Sequence, residues 1–142
     1  MNNKLYNILL VDDDQVDVMN VQRAFKKNNI QNPLHIANNG MEALDMLRGT
    51  EGREKIIPTP RLILLDINMP RMNGIEFLRE LRKDPVLRSI SVIIMTTSND
   101  DKDKFEAYNL NVAGYIVKPV SFEKFVGAVS VLNTYWQLCE MP

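Results

Sequence analysis

The sequence predicts a doubly wound α/β sandwich built on a five-stranded parallel sheet. Short apolar runs without internal polar residues recur along the chain. Stretches with apolar residues at helical spacing separate them. The chain length of 142 residues suits one domain with a full core. Unbroken apolarity, as opposed to strict alternation, is the mark of strands covered on both faces, and this favours a central parallel sheet.

The first run is Ile8-Leu9-Leu10-Val11, and Val18, Val21 and Phe25 after it fall on one helical face. A weaker strand, Leu34-His35-Ile36-Ala37, follows Pro33, and Ala43, Leu44 and Leu47 mark the second helix. The stretch from Gly49 to Arg61, with Gly52, Pro58 and Pro60, reads as a long loop. Leu62-Ile63-Leu64-Leu65 is the third strand, followed by Ile75, Leu78 and Leu81 at helical spacing. Val92-Ile93-Ile94-Met95 is the fourth, and Phe105 and Tyr108 mark a short helix beyond it. Tyr115-Ile116-Val117 is the fifth. The last helix carries a stripe of Phe122, Phe125, Val126, Val129, Leu132 and Trp136, with Ser121 as its N-cap. Right-handed crossovers turn this alternation into one sheet with helices on both faces. Residues 1–142 read as one domain, with no linker pointing to a second.

Composition narrows the function. With 17 basic and 18 acidic residues the formal charge is −1, so no basic field exists to hold nucleic acid. The single cysteine, Cys139, cannot form an internal disulfide, which favours a reducing compartment. The N-terminus lacks a signal-peptide core, and no apolar run could span a bilayer. The expectation is a cytoplasmic protein that engages neither nucleic acid nor membrane.

In a doubly wound sheet, chemistry collects at the carboxyl ends of the strands. There the sequence has Asp12-Asp13-Asp14, then Asp66, then Thr96-Thr97-Ser98, then Lys118-Pro119. Taken singly, each has an ordinary explanation as a helix cap or loop start. Matching chemistry at four separate strand ends does not. Carboxylates sharing one crevice raise each other's pKa unless a cation intervenes, and Mg2+ suits oxygen ligands. A lysine and a hydroxyl beside such a site suit phosphoryl oxygens, and a carboxylate can accept the phosphorus itself. The chemistry indicated is phosphoryl transfer onto an aspartate.

Leu9-Leu10-Val11-Asp12-Asp13, Leu65-Asp66-Ile67-Asn68-Met69-Pro70 with Gly74, Met95-Thr96-Thr97 and Gly114-Tyr115-Ile116-Val117-Lys118-Pro119 together resemble a CheY-like response-regulator receiver domain. The resemblance covers essentially the whole chain. The long loop before Leu62, the Thr96-Thr97-Ser98 run and the tail with Tyr135 and Trp136 resemble the single-domain regulators that partner phytochrome-type histidine kinases. It implies a flavodoxin-like strand order 2-1-3-4-5. It also implies Asp66 as phosphoacceptor, with Asp13, Asp66 and the Asn68 backbone carbonyl as direct Mg2+ ligands and Asp12 acting through water. Thr96 and Lys118 would bind the phosphoryl group, Tyr115 would be the switch aromatic, and the bond before Pro119 would be cis. A sensor histidine kinase or phosphotransfer protein would be the donor, a downstream protein the target. The chain would catalyse only its own phosphorylation and dephosphorylation, with no output domain attached.

Asn73 and Asn39 stand where the family often has Asp, both at turn positions that either residue fills. Asp14 adds a carboxylate expected to face solvent, while Asn68 and Ser98 occupy variable positions that influence phosphoryl lifetime. His35 reads as a packing or edge residue, Cys139 as an inert thiol, and the Lys26-Lys27 and Arg82-Lys83 pairs as solvated helix ends. Two phosphate-handling alternatives fail on residue type. An aspartyl-phosphate hydrolase would want an acid where Asn68 stands, and a flavin mononucleotide loop would not tolerate Asp12-Asp13-Asp14. A non-phosphorylated interaction module would be expected to lose some key side chains, and all are kept. The tail residues Tyr135, Trp136, Leu138 and Met141 add apolar surface that suggests a homodimer through the fourth helix, fifth strand and fifth helix.

Overall fold

The computed structural model describes residues 5–118 and 122–138. Its elements alternate: β1 (Ile8–Val11), α1 (Gln15–Lys27), β2 (Leu34–Ala37), α2 (Gly40–Arg48), β3 (Leu62–Leu65), α3 (Gly74–Lys83), β4 (Ser91–Thr96), α4 (Asp101–Asn109), β5 (Gly114–Val117) and α5 (Phe122–Leu138). All strand pairs are parallel, in the order β2-β1-β3-β4-β5. This is the expected order. Ser121, Pro119 and its cis bond, Cys139 and Met141 lie outside the described residues. So do the side chains of Phe122, Val126, Val129, Leu132, Tyr135 and Trp136.

The two faces of the sheet sort the strand residues by parity, as the pleat requires. Leu9, Val11, Ile63, Leu65, Val92 and Ile94 pack with Ala43, Leu44 and Leu47 of α2, Ile75, Phe77, Leu78 and Leu81 of α3 and Ala107 of α4. Ile8, Leu10, Leu62, Leu64, Ile93 and Met95 pack with Val18, Val21, Ala24 and Phe25 of α1 and Phe125 of α5. β1 and β3 are fully buried, which explains their unbroken apolar sequence.

Three expectations are corrected. The β5 residues are half-buried, because β5 is an edge strand with a neighbour on one side only. Phe105 and Tyr108 mark the right helix but face solvent, and the small Ala107 is the buried residue of α4. Arg82 is not a solvated helix end. Its guanidinium donates to the carbonyls of Leu110, Arg88, Ile90 and Asn111. It thereby ties the end of α3 to the loops that precede β4 and β5, and burial lowers its pKa. No sequence pattern marks it, since its partners are backbone atoms.

The β3–α3 turn fixes the geometry below. Arg71 and Met72 adopt left-handed φ angles of 53° and 58°, a conformation that costs non-glycine residues energy. Gly74 then starts α3 hard against the strand end, its N–H donating to Ile67 O at 3.0 Å. A Cβ at Gly74 would lie 2.3 Å from Asp66 O and 2.8 Å from Ile67 Cα. Backbone cannot yield as a flexible side chain does. Gly74→Ala should therefore lower stability by about 1–3 kcal/mol, measured by urea unfolding. Stability within a few tenths of wild type would show that the turn relaxes freely.

Candidate functional site

Asp12, Asp66 and Lys118 are each placed one step beyond the sheet ladder, and Thr96 is the last residue of β4. Asp12 N–H donates to Ala37 O at 3.1 Å, Asp66 N–H to Val11 O at 3.0 Å and Lys118 N–H to Thr96 O at 2.7 Å. The backbone is thus held by the same parallel pairing that makes the core. The side chains converge as a consequence.

Asp12 and Asp66 are buried, Thr96 is fully buried and Asp13 is exposed. Carboxylate oxygens of Asp12, Asp13 and Asp66 lie within 4.8 Å of one another. Ligands about 2.1 Å from a small hard cation can span about 4 Å across it, so an all-oxygen, anionic set of this size fits a divalent ion. The Thr96 hydroxyl lowers the pKa of Asp66 and accepts from Ser98 N–H at 3.3 Å. Asn68 N–H donates to Asp66 Oδ1 at 3.3 Å, and its side chain reaches Thr97 Oγ1 at 3.2 Å. Tyr115 OH donates to Ser98 O at 3.0 Å, and Ser98 Oγ donates to Asp103 Oδ2 at 2.7 Å.

Lys118 supplies the positive charge. Its ammonium donates to Asp17 Oδ2 at 2.5 Å and Asp12 Oδ2 at 3.0 Å, and stands 4.0 Å from Asp66 Oδ2. Sequence reasoning assigned Lys118 to the phosphoryl group and missed Asp17. An acid in the first turn of a helix reads as an ordinary dipole-complementing residue, and no spacing rule linked it to a lysine far along the chain. Asp14, expected to face solvent, is exposed and caps α1 by accepting from Val16 N–H and Asp17 N–H. His35 is half-buried beside Asn7 Oδ1 at 3.3 Å, in keeping with its edge position.

The electrostatics follow from burial. Desolvation pushes Asp12 up to about 6, against the pull of the Asp14 N–H and of Lys118, with Asp66 adding to the rise. Desolvation raises Asp66 as well, opposed by Lys118, the Thr96 hydroxyl and the Asn68 N–H, and reinforced by Asp13. Burial alone would lower Lys118, but Asp17, Asp12 and Asp66 outweigh it and hold the ammonium above its ordinary pKa. Three clustered carboxylates, two of them buried and hard to ionise, share a single lysine with Asp17, and this makes a site that favours added positive charge.

The fold and site define a class of protein, and comparison with known proteins agrees. The response regulator receiver domain family matches residues 8–130, and the chain belongs to it. Response regulator Rcp1 of Synechocystis is 34% identical over 129 residues, 91% of this chain and 87% of Rcp1. A two-component response regulator from Legionella pneumophila shares 41% identity at a TM-score of 0.80, covering 92% of this chain and 99% of that one. The phosphorylated cyanobacterial phytochrome response regulator RcpA shares 30% identity at a TM-score of 0.78, covering 97% of this chain and 98% of RcpA. The Mn2+-bound form of Rcp1 shares 31% identity at a TM-score of 0.76, covering 96% of this chain and 99% of that one. The chain is a two-component response regulator whose similar structures include the single-domain regulators of the phytochrome group.

The raised Asp12 makes stability depend on pH. Its folded pKa of about 6 exceeds the ordinary 3.8, so between these values the folded state holds a proton that the unfolded state releases. The stabilisation is full below pH 4 and is lost as pH rises through about 6. In chelator, the melting temperature should therefore rise as pH falls from 8 to 5.5. Asp12→Asn should flatten this slope and add roughly 1–3 kcal/mol at pH 8. A slope unchanged in the variant would remove Asp12 as its source.

Proposed function

We propose that this chain accepts a phosphoryl group on Asp66 from a phosphohistidine of a sensor histidine kinase or phosphotransfer protein. The observation that carries the reading is the setting of the Asp66 carboxylate. The Thr96 hydroxyl favours its ionised form, Lys118 stands at 4.0 Å and the acidic pair Asp12 and Asp13 lies alongside. An Asp66 carboxylate oxygen forms a bond to phosphorus as the N–P bond of the donor breaks, and the imidazole leaves and takes up a proton. Thr96 and Lys118 bind the transferred phosphoryl oxygens. The Asn68 N–H, already on Asp66 Oδ1, orients the nucleophile.

The cation we infer is Mg2+, with Asp13, Asp66 and the Asn68 backbone carbonyl as direct ligands and Asp12 acting through water. When bound, it would offset the charge of the carboxylates and of the phosphoryl oxygens. The phosphorylated state of RcpA and the Mn2+ in Rcp1 support this reading by similarity. Beyond its own phosphorylation and dephosphorylation the chain catalyses nothing. We read residues 1–142 as one receiver unit, acting in the cytoplasm on a downstream protein and not on nucleic acid or membrane. With small-molecule phosphodonor and Mg2+, one hydroxylamine-labile phosphoryl group should appear by mass spectrometry and vanish in Asp66→Ala. Full labelling of that variant elsewhere would defeat the assignment.

Tyr115 is proposed as the switch aromatic, responding to movement of Thr96, and the surface it controls as a homodimer face. Phe105 and Tyr108 on α4 and Val131 and Leu138 on α5 are exposed apolar side chains that support this interface. Light scattering should detect dimer strengthened by phosphorylation and weakened by Phe105→Lys. A monomer in both states at high concentration would end the dimer reading.

A further inference from the structure

We infer that Asp17 is a positioning residue: it latches Lys118 away from the phosphoryl site and so sets the bias of the resting state. The inference rests on the phosphoacceptor reading above and adds a regulator to that site. Asp17 holds the ammonium at 2.5 Å while Asp66 stands 4.0 Å from it. The Asp17 side chain is 24% exposed and that of Lys118 9%, so the contact is partly withdrawn from solvent screening.

The local chain explains why Asp17 is free for this task. It is the third residue of α1 after the N-cap Asp14. An acid at that position commonly reaches back to the N-cap amide and closes a capping box. Glu76 does so in α3, accepting from Asn73 N–H at 3.0 Å while Asn73 accepts from Glu76 N–H at 3.0 Å. In α1 the corresponding amide is already taken, because Asp14 N–H donates to Asp12 Oδ1 at 2.9 Å. Asp17 has lost its local partner and turns to Lys118.

Asp17 also differs from the lysine's other partner. Asp12 belongs to the trio of carboxylates that fits a cation, and Asp17 does not. A cation drawing on Asp12 would weaken that carboxylate's hold on Lys118 while leaving Asp17 in place. A phosphoryl group arriving on Asp66 must then compete with Asp17 for the ammonium. Replacing Asp17 by its neutral isostere should release Lys118 to the phosphoryl oxygens.

The experiment is a double-mutant cycle on binding of beryllofluoride, a phosphoryl mimic, with Mg2+, followed by fluorine NMR. Wild type should bind. If it does not, the phosphoacceptor reading falls and the latch falls with it. Given binding, Asp17→Asn should bind about fivefold more tightly, the scale of a partly exposed ion pair. The same change in a Lys118→Gln background should have no effect. Equal or weaker binding by Asp17→Asn would overturn the latch and leave the phosphoacceptor standing. So would an equal gain in both backgrounds, since removing any nearby negative charge would then explain it. Should Lys118→Gln bind too weakly to titrate, the Asp17 carboxyl carbon signal decides. In wild type it should move on adding the mimic toward its position in free Lys118→Gln, and a signal that stays put would overturn the latch.

Discussion

Carboxylates are forced together at the carboxyl edge of this sheet, and the Lys118 ammonium is what holds the crowd in place. The pressure comes from the fold. β1 and β3 are neighbours in register, Val11 opposite Leu65, so the next residue of each strand must emerge side by side. Those residues are Asp12 and Asp66, both buried. Unit charges about 4 Å apart interact by about 4 kcal/mol at an effective dielectric of about 20. A lysine reaching in from the end of β5 offsets part of that repulsion, against the cost of desolvating the groups it meets. It does not offset the cost of burial fully: desolvation still lifts Asp12 to about 6, with Asp66 adding to the rise.

The packing that buries these acids is the packing that stabilises the molecule. Leu9 and Val11 on one face and Ile8 and Leu10 on the other leave β1 no freedom to slide, since a slip of one residue would exchange the two cores. At the end of β3, Gly74 brings the start of α3 to the backbone of Asp66 and closes the crevice from below. Rigidity and electrostatic tension thus have one origin. The apolar strands cannot relax to separate the charges, so relief must come from a partner carrying positive charge.

How far the sequence spoke depends on how local each feature is. The strand runs and the faces of α1, α2 and α3 were legible because burial on both sides of a parallel sheet leaves a direct mark on residue type. The converging Asp12, Asp66, Thr96 and Lys118 were legible because topology fixes where strand ends go. Asp17 was not, since its role depends on Asp12 having already taken the amide of Asp14, a fact two hydrogen bonds removed from any pattern. Arg82 was hidden for a similar reason, its partners being carbonyls of distant loops. Phe105 and Tyr108 misled on orientation because a short helix resting on Ala107 needs no large inward side chain.

The hydrogen bonds leading away from Asp66 give the site a way to act at a distance. The Thr96 hydroxyl stabilises the Asp66 carboxylate and accepts from Ser98 N–H, and Ser98 O accepts from Tyr115 OH. Thr96 is fully buried, so its hydroxyl cannot exchange one partner for water without cost. If the charge on Asp66 changes, the pull on the hydroxyl changes with it, and a shift of the hydroxyl alters the Ser98 peptide that donates to it. Ser98 is also tied to α4 through Asp103, so the disturbance divides between the start of α4 and the ring of Tyr115. Those two elements border the exposed Phe105 and Tyr108. A charge gained at the sheet edge thus has a route of a few bonds to an apolar surface, from Thr96 at the end of β4 through Ser98 in the β4–α4 loop to Tyr115 and Asp103.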